Sequence, residues 1–335
     1  MTATTVFVSG ANGYIAQHII KQLLAKSYQV IGSVRSQSKG DDLVSLVNND
    51  NFSYVVIPSI SDKDAFYDVL QQHPEITVFL HTASPVKFEV DDIERDLLLP
   101  AIDGTVNALA AIKKYGPQVK KVVITSSGGA VFGFDKHFNG DEIYNEQSWN
   151  PITYEESKTT GPINGYFGSK KFAELAAIEY MEEESPNFDI SFVTPMYNFG
   201  PQAYEVKDKS KLNVSAEVVN TVLKFGKDDV IPAFGSSFAD VRDVARAHLV
   251  AFENEESNGK RLLVATDNFS FDTIAYIINK HFPELEIPQG DLSKNEAIYK
   301  SMVQKYDNST TNRVLGFDSI SLEQSVVDTV EQLLA

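Results

Sequence analysis

Short apolar runs rich in β-branched residues alternate with helical stretches along the N-terminal part of this chain. Thr5–Ser9 (TVFVS) runs straight into glycines. Ile15, Ile19, Ile20, Leu23 and Leu24 then recur at helical spacing, which predicts a helix over 13–27. The same reading places strands at 29–34, 52–57, 77–81 and 121–125, with helices at 39–49, 62–72 and 93–114 between them. Strands and helices alternating in this way build right-handed βαβ units and a parallel sheet. The runs VFVS, VFLH and VVIT are unbroken apolar stretches, as a sheet covered on both faces requires. The expected class is α/β with a doubly wound parallel sheet.

The pattern loosens over 134–165, a polar stretch holding the single tryptophan, Trp149, and resumes with a helix at 167–184 and a strand at 190–194. Loops of that length in a compact domain are usually functional. Further helices are expected at 216–224, 241–253, 271–281 and 322–334. Residues 1–199 therefore read mainly as a nucleotide-binding layer to which 241–265 returns. Residues 200–240 and 266–335 read mainly as a smaller C-terminal substrate-binding cap.

Composition removes several classes of function. The 335 residues carry 46 Asp+Glu against 29 Lys+Arg, a net charge of −17, which argues against gripping nucleic acid or an anionic membrane. With no cysteine there is no disulfide, zinc–thiolate site, iron–sulfur cluster or thiol nucleophile. The six histidines include no pair at the i, i+4 spacing of a helical metal site. No stretch reaches the ~18 apolar residues of a membrane span. The start, MTATTVFVSG, has no basic region, so a signal peptide is not expected and the expected location is cytoplasmic.

Gly10, Ala11, Asn12, Gly13, Tyr14, Ile15 and Ala16 fall between the first strand and first helix. Glycines there allow a sharp turn and close approach of the backbone to a pyrophosphate on the helix N-terminus. Alone, such a turn is also an ordinary strand–helix junction; at the first βα junction of an alternating chain it predicts a Rossmann-type dinucleotide site. An NAD enzyme usually places an acid near the end of the second strand. Residues 29–39 (QVIGSVRSQSK) have none, and Arg35 and Lys39 stand where a 2′-phosphate would lie, which predicts NADP.

Tyr166 and Lys170 open the helix after the polar loop and share one face at i, i+4. A phenol of pKa ~10 needs a positive neighbour to exchange protons near neutrality. Thr125, Ser126 and Ser127 end the fifth strand, where a hydroxyl can hydrogen-bond a carbonyl oxygen as charge develops on it. Singly, these are also a surface pair and a turn cap; in order behind a glycine turn they point to hydride-transfer chemistry.

The chain resembles the extended short-chain dehydrogenases/reductases over nearly its whole length, and more narrowly the fungal NADPH-dependent methylglyoxal and 3-methylbutanal reductases and dihydroflavonol-reductase-like enzymes. The stretches that carry the likeness are VFVSGANGYIAQHI (6–19), HTASPV (81–86), ERDLLLPAIDGTVNAL (94–109), KKVVITSS (120–127), YFGSKKFAE (166–174), PMYNFGPQ (195–202) and DVRDVARAHLVAF (240–252). The resemblance implies a Ser127–Tyr166–Lys170 triad. It also implies NADPH contacts at Gly10, Ala11, Asn12, Gly13, Tyr14, Ile15, Arg35, Lys39 and Ala83, at Asn198 near the nicotinamide and at Ser215 near the phosphates. Relatives often have an acid where Ser59 stands, leaving Ile60 a backbone contact to the adenine. They tend to have a bulkier residue at Gly128, so a roomier or looser pocket is expected here, with Phe132 and Phe134 as an apolar wall or as core.

The expected function is NADPH-dependent reduction of small aldehydes and ketones, with a small carbonyl compound as partner, no nucleic acid, no membrane, no metal, and a monomer or homodimer. The rivals are a nucleotide-sugar epimerase or dehydratase, which normally keeps an acid after the second strand, and a nonenzymatic NADP sensor, which has no use for Tyr166 and Lys170.

Overall fold

The apolar runs become one parallel sheet. In the computed structural model, which describes residues 4–86, 88–205, 209, 212 and 215–335, its strands are β1 (Thr5–Ser9), β2 (Gln29–Val34), β3 (Phe52–Val56), β4 (Ile76–His81), β5 (Lys121–Thr125), β6 (Asp189–Pro195) and β7 (Arg261–Val264). Their order is β7-β6-β5-β4-β1-β2-β3, every pair parallel. The chain steps outward from β1 to β3, then crosses back to β4 on the other side of β1. The loops leaving β1 and β4 therefore diverge and open a crevice at the strands' carboxyl ends.

Among the helices that flank the sheet or lead to the site are α1 (Tyr14–Ala25), α2 (Gln37–Val47), α3 (Tyr67–Gln72), α4 (Leu99–Tyr115), α5 (Tyr154–Thr159), α6 (Pro162–Glu184), α7 (Glu217–Leu223) and α8 (Val241–Glu253). Alternation along β1 sends Val6 and Val8 to one face, against Ile19 and Leu23 of α1 and Val244 of α8. Phe7 points to the other face, with Phe79 of β4, Leu109 and Ile112 of α4 and Ala177 of α6. Both faces are thus covered.

A three-stranded sheet of Tyr197–Phe199, Gly235–Asp240 and Asp267–Ser270 forms the base of the cap. Phe199, Phe238 and Phe269 form its aromatic centre, with ring centroids 4.5 and 5.2 Å apart, beneath helices Phe271–His281 and Leu322–Leu334. The cap is tied to α1 by one stripe of side chains at i, i+4, i+7. Tyr14 Oη donates to the Gly200 carbonyl at 2.6 Å, His18 Nε2 bonds the Pro201 carbonyl at 3.0 Å, and Lys21 Nζ donates to the Ala203 carbonyl at 2.7 Å.

Several expected elements differ. The single helix expected at 93–114 is a π-helical turn, Glu94–Leu98, followed by α4. Pro100 lacks the N–H that an unbroken helix would give to residue 96, so the ladder is interrupted there. Residues 62–66 form turns, and α3 begins only at Tyr67. The stretch 134–165 contains a short strand, Ile143–Tyr144, paired with Lys305–Tyr306, and helix α5, closed by a reciprocal Thr153–Glu156 capping box. Helix α6 starts at Pro162, so Tyr166 lies a turn inside it instead of opening it.

Three buried histidines make stability depend on pH. Burial lowers His18, His81 and His248 from 6.5 to about 4. Between those values the unfolded chain takes up protons that the folded chain refuses. Their contribution is therefore complete above about pH 6.5 and is lost as pH falls toward about 4. Asp243, raised to about 6 by burial, and Glu174, also raised by burial, work the opposite way, two groups against three. The loss is expected to be on the order of 2 kcal/mol per imidazole by about pH 4.5. Thermal unfolding should show Tm falling steadily from neutral pH to that point; a flat Tm would contradict this account.

Candidate active site

The crevice is built first by the turn after β1. Gly10 has φ +66°, and a Cβ on it would lie 3.1 Å from both Cα and Cβ of Ala83, whose own N–H donates to Ser9 Oγ at 3.0 Å. Glycine is required there by the left-handed backbone and by the close approach of the loop after β4. Beneath the turn, a Cβ on Gly32 would meet Ala11 Cβ at 2.6 Å, so the turn sits directly on β2. Gly13 caps α1 without a side-chain hydrogen bond, so the first amides of the helix, including those of Tyr14 and Ile15, have no side-chain cap. Asn12 offers its carbonyl to Gln17 Nε2 at 3.0 Å. With its ring turned to Gly200, Tyr14 presents only main chain to the turn.

Arg35, just past β2, and Lys39, in the first turn of α2, are exposed, and neither has a hydrogen bond or ion pair among the described residues. Ser59 Oγ lies 2.9 Å from Ser61 Oγ, and Ile60 fills the space beside Gly104 of α4. Ser215 precedes α7; its neighbour Ala216 packs on Tyr14 and Val241, which brings this segment to the start of α1. Asn198 lies on the cap sheet, and its Oδ1 is buried with no partner among the described residues.

The candidate reactive side chains come from the turn after β5 and from α6. Ser127 caps a short 3-10 turn and accepts the Gly129 N–H at 3.1 Å. The Tyr166 ring is half-buried, edge-on to Phe88 at 5.8 Å and Phe167 at 6.1 Å. Burial raises its phenol above 10, against a hydrogen bond from Ser127 that pulls it down. Lys170 is 6% exposed, its Nζ lies 5.7 Å from the Tyr166 ring centroid, and it has no hydrogen bond among the described residues. Burial lowers its ammonium to about 8, with Glu174 pulling the other way. The sequence expectation is that Lys170 together with an oxidised nicotinamide brings the phenol down; in the coenzyme-free protein burial is the largest influence on it.

Gly128 also departs from expectation. A Cβ there would lie 2.7 Å from Met196 Sδ and 2.8 Å from Phe132 Cε1, so neighbours have filled the space and the pocket gains nothing from the glycine. Phe132 belongs to a small core with Met196 and Tyr144, whereas Phe134 is 43% exposed and edge-on to Phe167. With Phe88 these rings form an aromatic rim. Asn107 ties α4 to the Ser61 carbonyl at 2.9 Å, and His81 hydrogen-bonds Ser9 Oγ at 3.1 Å; both are structural links. Sequence reasoning passed over Glu174, although Tyr166, Lys170 and Glu174 repeat at four-residue spacing on α6.

A dinucleotide with a 2′-phosphate fits these residues. The uncapped start of α1 offers amides to a pyrophosphate, the unpartnered Arg35 and Lys39 offer charge to the 2′-phosphate, and Lys170 and the Asn198 carbonyl lack partners that polar ligand groups would supply. Among the described residues no cluster of three or more His, Asp or Glu is placed to hold a metal, and no helix is long and apolar enough to cross a membrane.

Known proteins agree with this architecture. The chain is 48% identical over 340 residues to a putative NADPH-dependent methylglyoxal reductase of Candida albicans, covering 99% of each chain. It is 44% identical over 337 residues to the NADPH-dependent methylglyoxal reductase of Saccharomyces cerevisiae, covering 98% of each. The crystal structure of the yeast methylglyoxal/isovaleraldehyde reductase complexed with NADPH superposes with a TM-score of 0.92 at 44% identity over 98% of both chains. Residues 6–265 match the profile of the NAD dependent epimerase/dehydratase family, and to that family the chain belongs.

Proposed function

We propose that this protein is an NADPH-dependent carbonyl reductase that converts small aldehydes and ketones to alcohols. The observation that carries the proposal is the convergence of Ser127, Tyr166 and an unpartnered, buried Lys170 at the crevice beside the glycine turn. Full-length similarity to NADPH-dependent methylglyoxal reductases supports it.

Bound NADPH supplies the hydride. The protein's part is to hold the carbonyl and manage one proton. Ser127 hydrogen-bonds the carbonyl oxygen, and Tyr166 gives that oxygen its phenol proton. A phenol raised by burial is fully protonated at neutral pH, which suits a proton donor. Lys170 holds the ribose hydroxyls and offsets the phenolate left behind. Main chain of Gly10, Ala11, Asn12, Gly13, Tyr14 and Ile15 holds the pyrophosphate, and Arg35 and Lys39 the 2′-phosphate. Ser59 and Ile60 border the adenine, Ala83 and Asn198 the nicotinamide side, and Ser215 the phosphates. Phe88, Phe134 and Phe167 keep water from the carbonyl and favour an apolar substituent on it. The proposal extends to a cytoplasmic protein, consistent with a cysteine-free chain, acting as a monomer or homodimer.

The test is NADPH oxidation by purified protein with methylglyoxal, 3-methylbutanal and an aryl ketone, repeated with NADH. Turnover with at least one carbonyl, at least tenfold faster with NADPH, is the expected result. NADPH binding without any turnover would reject the reductase in favour of a sensor.

A further inference from the structure

Behind the reactive dyad, α6 carries a third polar residue on the same face. Tyr166, Lys170 and Glu174 follow at i, i+4 and i+8, and Glu174 is 1% exposed. Its Oε2 accepts a hydrogen bond from Ser126 Oγ at 2.6 Å, one residue before Ser127. Its Oε1 accepts from Arg261 Nε at the start of β7. Arg261 in turn donates from Nη1 to the carbonyls of Glu146 at 3.0 Å and Ser148 at 2.6 Å, and its guanidinium lies 3.9 Å from the Trp149 ring centroid. One carboxylate thus joins α6, the end of β5, β7 and the loop before α5.

Resting on the carbonyl-reductase reading, we propose that Glu174 is a positioning residue, which keeps the Lys170 ammonium charged inside the site and fixes the strand end that presents Ser127. Lys170 and Glu174 border the same hole, of about 10 Å³, with His81, Thr125 and Ser126. Lys170 is 6% and Glu174 1% exposed, so solvent screens their interaction far less than it would at the surface. Burial raises the Glu174 carboxyl, and Arg261, the Ser126 hydrogen bond and Lys170 each favour its charged form. Without the carboxylate Lys170 would be a buried cation with no counter-charge beside it, and the cheapest relief is loss of its proton. The other titratable groups facing Lys170 do not supply a counter-charge. Tyr166 is a neutral phenol raised by burial, and Tyr197 beside it is likewise raised. His81 on β4 and His248, hydrogen-bonded to Thr125 at 2.7 Å, are both neutral above about 4. The lowering of Lys170 to about 8 by burial, with Glu174 opposing it, agrees in sign.

The experiment follows the Lys170 ionisation directly, by NMR titration of lysine side-chain ¹³Cε in coenzyme-free protein, with the resonance assigned by its loss in Lys170→Arg. The midpoint should fall by about one pH unit or more in Glu174→Gln, and the alkaline limb of kcat should move down with it. Ser126→Ala keeps the charge and removes one hydrogen bond. It should lower kcat several-fold with the Lys170 midpoint unmoved. Should Glu174→Gln fail to fold with Arg261 left unpaired, Glu174→Gln/Arg261→Gln replaces the ion pair by an amide pair, and the midpoint must fall there too. An unmoved midpoint in the Gln variants, even with a reduced kcat, would leave Glu174 a purely structural residue and overturn the charge role. Full kcat in Ser126→Ala would overturn the link to Ser127. Failure of the reductase reading is separate: it shows as absent turnover in the unmodified protein, while the NMR titration still reports on the Lys170–Glu174 pair.

Discussion

Tyr166→Phe is expected to lower kcat for carbonyl reduction by about a thousandfold, with NADPH affinity within about threefold of the parent. The substitution removes one oxygen and keeps the ring. The edge-on contacts to Phe88 and Phe167, and the Lys170 ammonium beside the ring, survive it. Tm should therefore stay within a few degrees, and loss of rate reports the proton donor alone. The direction of the phenol's shift adds a second observable. A phenol raised by burial gives up its proton reluctantly, so alcohol oxidation, which needs the phenolate, should have a higher pH optimum than carbonyl reduction. Stopped-flow or steady-state NADPH absorbance at several pH values checks both. Near-parental turnover in the phenylalanine variant would assign proton donation to another group.

The second large effect concerns coenzyme choice. Arg35→Asp is expected to reduce kcat/KM with NADPH by about a hundredfold and to narrow or reverse the preference over NADH. A charge-assisted contact to phosphate contributes roughly 1.5–3 kcal/mol, and the new carboxylate adds repulsion to the 2′-phosphate while offering a partner to a ribose hydroxyl. Arg35 is exposed and has no other partner among the described residues, so the fold should not register its loss. Lys39 remains on α2, so Arg35→Asp/Lys39→Ser should go further in the same direction. An unchanged NADPH/NADH ratio in the double variant would remove these two cations from the coenzyme site.

What the sequence made legible follows from where single residues dominate. The glycine turn, the missing acid after β2 and the Tyr166/Lys170 pair each depend on spacing within one element, and the parallel sheet depends on apolar runs that nothing else in the chain mimics. Helices at 241–253, 271–281 and 322–334 are as expected because each carries a clean apolar stripe. The failures share another cause. The start of α6 was read late because Pro162, Asn164 and Gly165 look like loop residues, although proline at a helix start needs no N–H partner. The capping box that opens α5 was present as Thr153 and Glu156, but a helix of six residues has no periodicity to notice. Gly128 was read as space because the sequence could not show Met196, from beyond β6, and Phe132 packed into it. Glu174 was missed because its partners Ser126 and Arg261 are distant in sequence and become neighbours only through the β5-β6-β7 order.

The stripe of α1 residues that grips the cap has a consequence for how this junction tolerates change. Tyr14, His18 and Lys21 all bond to main-chain oxygens, those of Gly200, Pro201 and Ala203. Every residue type offers the same carbonyl, so substitution at 201–203 leaves the acceptors in place provided the backbone keeps its path; Gly200 is the exception, because its φ is +150° and a Cβ there would lie 3.0 Å from Asp240 Oδ2. Inserting or deleting one residue there shifts the whole row and strands the buried Tyr14 hydroxyl and His18 ring, at about 1–3 kcal/mol for each unsatisfied group. Beyond Gly200, a change of residue at this seam costs less than a change of length.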